Sequence, residues 1–504
     1  MSKKAKYPSL LLALLLGVST VLSACSSSKE QQATNAPTDG SEAPPYEVTV
    51  MIMDRSGQMA DLGSVQEEVN KMTKEKINAT VNFLPIGRSA YLQQMNLMMA
   101  GSEKLDLVVT SSYYGFSGQV SKGQLLPLNE LLEKHGSGIK EVVRPEYINA
   151  TKVNGNIYGV PSIRDLAAEY GAVVRKDIFD KYNIDSSAIK TWEDLEKAFE
   201  VIQKGEPGMA MVVGTAQAFP VAEAIWGGSY DILNDRLGVL PEMDNNLKVE
   251  NLFETQKYRE AVDMARRWYQ KGYIMQDVNT SQEGGVNLVK AGKVVGYVVN
   301  MKPGMDTQES RNTGMEMLAI PLSRATAQTH NMQTYMMSIS KNSRNPEKAM
   351  EFMNLLYTDK DIMNLITNGI EGQHYVKKSD QVIAFPSGVT AKDTKYLFNQ
   401  FLLGNNFLTH VWETDDPQIW EKTQEFNDSA IFSKALGFTF SQEPVKSEVA
   451  AVTNVINQYR LALENGTLDV EKNLKEFNTK LKEAGLDKII AEKQKQLDDW
   501  MKTK

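Results

Sequence analysis

Two kinds of side chain in this sequence stand where they could hold a solute, aromatic rings on loops and the charged groups near them, and a solitary cysteine stands where it could take a lipid. Tyr113 and Tyr114 lie in Ser111–Gly118, a segment rich in Ser and Gly. Trp226 precedes Gly227-Gly228-Ser229-Tyr230, and Trp412 lies within His410–Asp416. An aromatic ring on a polar loop packs against the apolar C–H face of a pyranose, while neighbouring polar groups take its hydroxyls. Asp54, Arg55 and Arg164 are candidates for those hydroxyl contacts. Each has a structural alternative. One of the two tyrosines could pack beneath a neighbouring loop, Trp226 could anchor a core, Trp412 could be structural, and Asp54 with Arg55 could form a surface ion pair.

Little points to catalysis. The chain has no Gly-rich phosphate loop, no His-x-x-x-His pair and no Gly-x-Ser-x-Gly elbow. His135, His330, His374 and His410 are far apart in sequence and read as ordinary, so no metal site and no cofactor are expected. The 63 acidic residues permit a carboxylate pair for glycoside hydrolysis, but most read as solvated surface charge. Trp192, Trp268 and the methionines of Met95–Met99 fall at helical spacing and are assigned to packing.

Strands and helices alternate in the chain that must position these residues. Tyr46–Met53 alternates Val48, Val50 and Ile52 on one face, and Ala79–Leu84 and Leu105–Thr110 read as further strands. Helical faces between them carry Val65, Val69 and Met72, then Tyr91, Met95 and Met98. This order predicts a parallel sheet covered on both faces, with ligand groups on the loops Asp54–Gly57, Pro85–Ser89 and Ser111–Gly118 beyond the strand ends. In a second α/β block, Thr191 and Asp194 form a capping-box pattern before Leu195, Ala198, Phe199 and Ile202. Val294–Val299 reads as a strand, and Asn345-Pro346 as the start of another helix. From about Glu443 the chain is helical.

The N-terminus reads as a processing signal. Lys3, Lys4 and Lys6 precede an apolar run from about Leu10 to Leu22, too short to span a membrane. It ends in Leu22-Ser23-Ala24-Cys25, which has the form of a bacterial lipobox and holds the only cysteine of the chain. Acylation of Cys25 would anchor the protein at the outer face of the cell membrane, with Ser26–Pro45 as a polar tether. The 504 residues carry 55 Lys and Arg against 63 Asp and Glu, a net charge of −8. Losing Lys3, Lys4 and Lys6 with the signal makes the mature chain more acidic still, which argues against nucleic-acid binding. One cysteine excludes an intrachain disulfide.

Several segments resemble the extracellular solute-binding lipoproteins of bacterial ABC sugar importers, in the maltose-binding-protein-like class. These are Gly123-Gln124-Leu125-Leu126-Pro127-Leu128, Gly155–Pro161 followed by Val174-Arg175-Lys176-Asp177, Ser338–Ala349, and Gly369–Tyr375. Leu436–Phe440 with Pro444-Val445-Lys446 resembles a C-terminal extension found in one branch. The resemblance implies an α/β, two-lobed periplasmic-binding-protein fold (type II-like), with discontinuous lobes joined by hinge strands and a C-terminal helical extension. Expected divisions are 1–24 signal, 25–45 anchor and tether, 46–163 with 330–373 as one lobe, 164–329 with 374–440 as the other, and 441–504 as the extension. Crossings are expected near Pro161–Asp165, Thr329–Tyr335 and Gly372–Val376. The implied function is capture of an oligosaccharide by a monomer that delivers it to an ABC permease by hinge closure, without catalysis. Alternatives are a peptide or charged solute (a cationic one by steering from the acidic body), a secreted glycosidase, and a sensor or adhesin.

Overall fold

The computed structural model describes residues 43–214 and 219–502. Two separate apolar cores divide the body, and each is built on its own sheet. In the first, Tyr46–Asp54, Ala79–Gly87 and Leu107–Thr110 run parallel, with Tyr46–Asp54 in the middle. Met336–Ile339 adds antiparallel to Leu107–Thr110, and Val160–Pro161 completes the sheet. The helices Leu62–Ile77 and Arg88–Ala100 connect the parallel strands, as the alternation predicts. The expected one-faced pattern of Tyr46–Met53 is incomplete, because Met51 and Met53 are as buried as Val48, Val50 and Ile52. The strand between its two parallel neighbours is buried on both faces, from Val48 to Met53.

The second sheet places Glu169–Arg175 between Met317–Pro321 and Val294–Met301, antiparallel to both, with Ala210–Gly214 parallel at the edge. Helix starts follow local chemistry. The Thr191 hydroxyl accepts from the Asp194 amide at 3.1 Å and donates to its carboxylate at 2.9 Å, opening Trp192–Gly205. Asn345 caps Pro346–Thr358 by accepting from the Lys348 amide at 3.1 Å. Trp192 and Trp268 are buried against one another in this second core, as their helical spacing predicts.

Core membership places the crossings. The chain leaves the first core after Ala167 and enters the second at Ala172; it returns between Ile320 and Ala325 and leaves again between Ala430 and Ala435. The three crossing segments lie side by side. Ala168 and Thr326 exchange two backbone hydrogen bonds, of 2.9 and 3.0 Å, and Thr326–Ala327 pairs in parallel with Ile431–Phe432. The crossing expected at Gly372–Val376 is therefore misplaced, and that at Thr329–Tyr335 falls a few residues late. The segment 374–440, expected in the second lobe, instead sends Tyr396, Phe398, Leu402 and Leu403 into the first core. The C-terminal extension is helical as expected, in Lys446–Glu464, Val470–Glu483 and Leu486–Met501, and its Val452, Phe477, Leu481, Ile489 and Leu497 belong to the second core.

Among the described residues no helix is long and apolar enough to cross a membrane. The signal segment and Cys25 lie outside the described residues.

Candidate functional site

The carboxyl ends of the first sheet's parallel strands open toward the second lobe. There Ser111 caps a single 3₁₀ turn, Ser112–Tyr114, and Gly115 follows with φ +78°. This tight reversal separates the two tyrosines. Tyr113 projects away, 69 % exposed. Tyr114 folds back over the buried Tyr91 ring, 5.9 Å between centroids, with its hydroxyl 3.6 Å from the Met53 sulfur. Both hydroxyl pKa values are raised by lost hydration. The Tyr113 side chain is nonetheless largely open to solvent. The charges it feels include Arg236 and Glu223 of the other lobe, as well as Arg164.

Asp54 and Arg55 do not pair with each other. The Asp54 carboxylate accepts from the Ser56 and Gly57 amides at 3.0 and 2.8 Å, closing an Asx turn whose Gly57 has φ +69°. Asp54 is thus occupied with its own loop. Arg55 reaches across the sheet, donating to the Tyr335 hydroxyl at 3.0 Å and lying 5.4 Å from the Phe401 ring centre. Arg164 lies 5.8 Å from the centre of the Tyr335 ring and pairs with Asp165 at 3.0 Å. Burial alone would push the Asp165 carboxyl up, but Lys302 and Arg164 together hold it below the ordinary carboxylate range. Arg164 and Trp412 line one pocket of about 220 Å³ between the lobes, with Lys302 and Arg311 on the second-lobe side and Phe401 and Trp420 on the first. Trp412 is half-buried and stacked on Phe385 at 4.3 Å, so one of its faces is covered.

Trp226 is not at the surface. It is 3 % exposed and packs edge-on to Tyr230 and obliquely to Tyr258, at 6.1 and 6.5 Å. The glycines that follow it explain the misreading: they are small because Tyr170 lies over them, and a Cβ at Gly227 would come within 2.6 Å of that ring. Tyr170 is a half-buried aromatic of the second lobe, stacked on Phe219 at 6.4 Å and 10°, within electrostatic reach of Tyr113, Glu223 and Arg236.

The aromatic set facing the cleft is therefore Tyr113, Tyr335 and Phe401 from one lobe and Tyr170 with Phe219 from the other. Arg55, Arg164 and Arg236 supply its donors. Sequence reasoning missed Tyr170, Tyr335, Phe401 and Arg236. Tyr170 is the second residue of Glu169–Arg175, the first long strand after a crossing, a position from which an aromatic ring can face the gap; that was the available signal. His330 lies at the cleft floor with its Nδ1 buried and unpartnered. Burial first, then Arg236 and Arg164, lowers its pKa from 6.5 to about 4, so it is neutral at physiological pH. Among the described residues no cluster of His, Cys, Asp and Glu could hold a metal.

This geometry, two separately cored lobes bridged by three adjacent segments with facing aromatic walls, defines a protein that closes on a solute. Residues 56–363 match the family described as bacterial extracellular solute-binding protein, and the chain belongs to that family. Residues 434–502 match a domain of unknown function, DUF3502. The chain is 27 % identical over 459 residues to a carbohydrate ABC transporter substrate-binding protein of Streptococcus pneumoniae, covering 90 % of this chain and 91 % of that protein. It is 22 % identical over 242 residues to the polygalacturonan/rhamnogalacturonan-binding protein YtcQ of Bacillus subtilis, covering 45 % of this chain and 47 % of YtcQ. In structure it is similar to the N-glycan transport solute binding protein NgtS of Streptococcus pneumoniae, with a TM-score of 0.80, 26 % identity, and coverage of 91 % and 99 % of the two chains. These relatives are binding proteins, so the chain is not an enzyme.

Proposed function

We propose that this protein captures an oligosaccharide between its lobes and delivers it to an ABC permease, acting as a monomer tethered at the outer face of the membrane through acylated Cys25. The observation that carries the reading is the pair of aromatic walls, Tyr113 on one lobe and Tyr170 on the other, each beside an arginine. Rings cover the C–H faces of a sugar while guanidinium groups donate to its hydroxyls, and contacts to both lobes favour the closed arrangement. The relatives point the same way. The S. pneumoniae protein NgtS is described in complex with Man1GlcNAc and with Man5GlcNAc. Similarity is greater to the NgtS structure described without a glycan, 0.80, than to those two, 0.71 and 0.67. That order is the one expected if the lobes reorient on binding.

Arg55, Arg164 and Arg236 make the cleft a poor match for the cationic solute that the acidic body as a whole would attract. Calorimetric titration of the mature protein with Man5GlcNAc and a panel of neutral and uronate oligosaccharides tests the reading. Saturable binding with the sugar recovered intact is expected. Absence of binding across the panel, or conversion of any sugar, refutes it. For the anchor, Cys25→Ser should release the protein from cells into the medium; retention in the membrane fraction would count against acylation.

A further inference from the structure

The loop following Trp226 carries unusual backbone strain. Within Asp231–Glu242, Leu233, Asn234, Arg236 and Glu242 all have positive φ, of 46°, 73°, 63° and 62°, and Gly238 has φ +98°. Non-glycine residues rarely adopt this region, and such conformations persist only where surrounding structure over-determines them. Here much of that structure is C-terminal. The Lys493 ammonium, 0 % exposed, pairs with Asp235 and donates to the Gly238 carbonyl at 3.2 Å. Gln442 donates to the other Asp235 oxygen at 3.0 Å, while the first also accepts from the Leu237 amide at 2.8 Å. The loop lies directly on the last helix, since a Cβ at Gly238 would stand 3.2 Å from Ile490.

A second set of contacts runs through Glu223, buried in the short helix that ends at Trp226. One of its oxygens pairs with Arg236, and the other accepts from Arg460 of Lys446–Glu464 at 3.2 Å. Asn465 in turn accepts from the Val221 amide at 3.2 Å, tying the start of that short helix to the end of Lys446–Glu464. Arg236 is thus fixed from two sides, its backbone through Asp235 and its guanidinium through Glu223. Both routes end in the C-terminal helices.

We propose that the C-terminal helices serve as a clamp that holds Asp231–Glu242 in its strained conformation and so presents Arg236 to the cleft. Lys493 and Arg460 are positioning residues: neither touches the solute, and each acts through an acidic neighbour of Arg236. The inference assigns a role to the segment matched by the domain of unknown function. Its binding half rests on the reading that Arg236 contacts the bound sugar; its structural half does not.

The test uses the full mature chain with Lys493→Met, which keeps the stem and removes the ammonium. Amide hydrogen exchange of residues 231–242 in ligand-free protein should accelerate at least tenfold, with no change in Val294–Met301. Affinity for Man5GlcNAc should weaken at least tenfold, since a loop in the competent conformation only a tenth of the time raises the apparent Kd by that factor. Gln442→Ala, which removes only one donor at a more exposed site, is the second variant should Lys493→Met fail to fold; a threefold rise in loop exchange is expected. Arg236→Ala should weaken binding by a similar factor while raising loop exchange less than Lys493→Met does, since it cuts only the Glu223 route and leaves the Asp235 route in place. Unchanged loop exchange in a folded Lys493→Met protein overturns the clamp. Faster exchange with unchanged affinity overturns the assignment of Arg236 as what the clamp presents. If the parent protein binds no member of the panel, the reading of the ligand fails, and the exchange measurement alone decides the clamp.

Discussion

Replacing Trp226 by alanine discriminates sharply between a core and a site. A buried aromatic side chain removes about 150–250 Å² from water, and at about 25 cal/mol per Å² the indole is worth up to ~6 kcal/mol. An extended-chain reference inflates such sums by roughly 10–40 %. The expected loss is therefore about 3–5 kcal/mol, the usual range for truncating a core Trp to Ala. Because Trp226 touches Tyr230 and Tyr258 within the second core, the loss should fall on the second lobe. For a unit of that size each kcal/mol lowers Tm by about 2–4 °C, so the second-lobe transition should drop by about 6–20 °C in differential scanning calorimetry. Trp226→Phe is the internal control. The indole N–H is buried with no acceptor, so Phe gives up no hydrogen bond while keeping much of the ring packing, and should cost about 1 kcal/mol. Glycan affinity measured well below the transition should change less than threefold in either variant. A Trp226→Ala protein melting within 2 °C of the parent, with affinity reduced more than tenfold, would refute the core assignment.

Three other outcomes follow from the same reasoning. Tyr113→Ala should leave stability within about 0.5 kcal/mol, as expected of an exposed ring, yet weaken glycan binding at least tenfold by calorimetry; equal loss in both would place Tyr113 in the packing. Burial of Glu464 raises its carboxyl pKa to about 7, despite Arg460 nearby. A raised folded-state pKa contributes stability that is fully present below the ordinary 4.5 and is lost as pH rises through 7, so Glu464→Gln should flatten that part of the Tm–pH curve. A profile identical to the parent's would refute this. Gly466→Ala should cost at least about 2 kcal/mol in urea unfolding: φ is +72° there, and a Cβ would press on the Ala265–Arg266 backbone of the facing helix, 2.7 Å from the Arg266 nitrogen. A cost near zero would mean that the two helices are not packed as described.

Much of the fold was legible because its signals are local. The short apolar runs of the first three strands, the Thr191 and Asn345 caps, and the amphipathic spacing of Trp192 and Trp268 each depend on near neighbours in the chain. The sites were less legible. Tyr113 and Tyr114 have the same composition around them, and only the turn closed by Gly115 sends one outward and the other onto Tyr91. Trp226 reads as a loop aromatic because glycines follow it, but those glycines accommodate Tyr170.

The sequence by itself determined the class of elements, their order and the chemistry available to them, since propensity, capping and turn preference act between near neighbours. Which core an element joins was decided only in three dimensions. Apolar burial is non-directional, so nothing in the side chains of Tyr396 or Leu403 states that they return to the first lobe, nor in Phe477 or Leu497 that they complete the second. The same holds for Arg236, whose place is set by Glu223, thirteen residues before it, and by Arg460 and Lys493, more than two hundred after it. Long-range charge pairing is specific only once packing has brought the partners together and excluded water from between them.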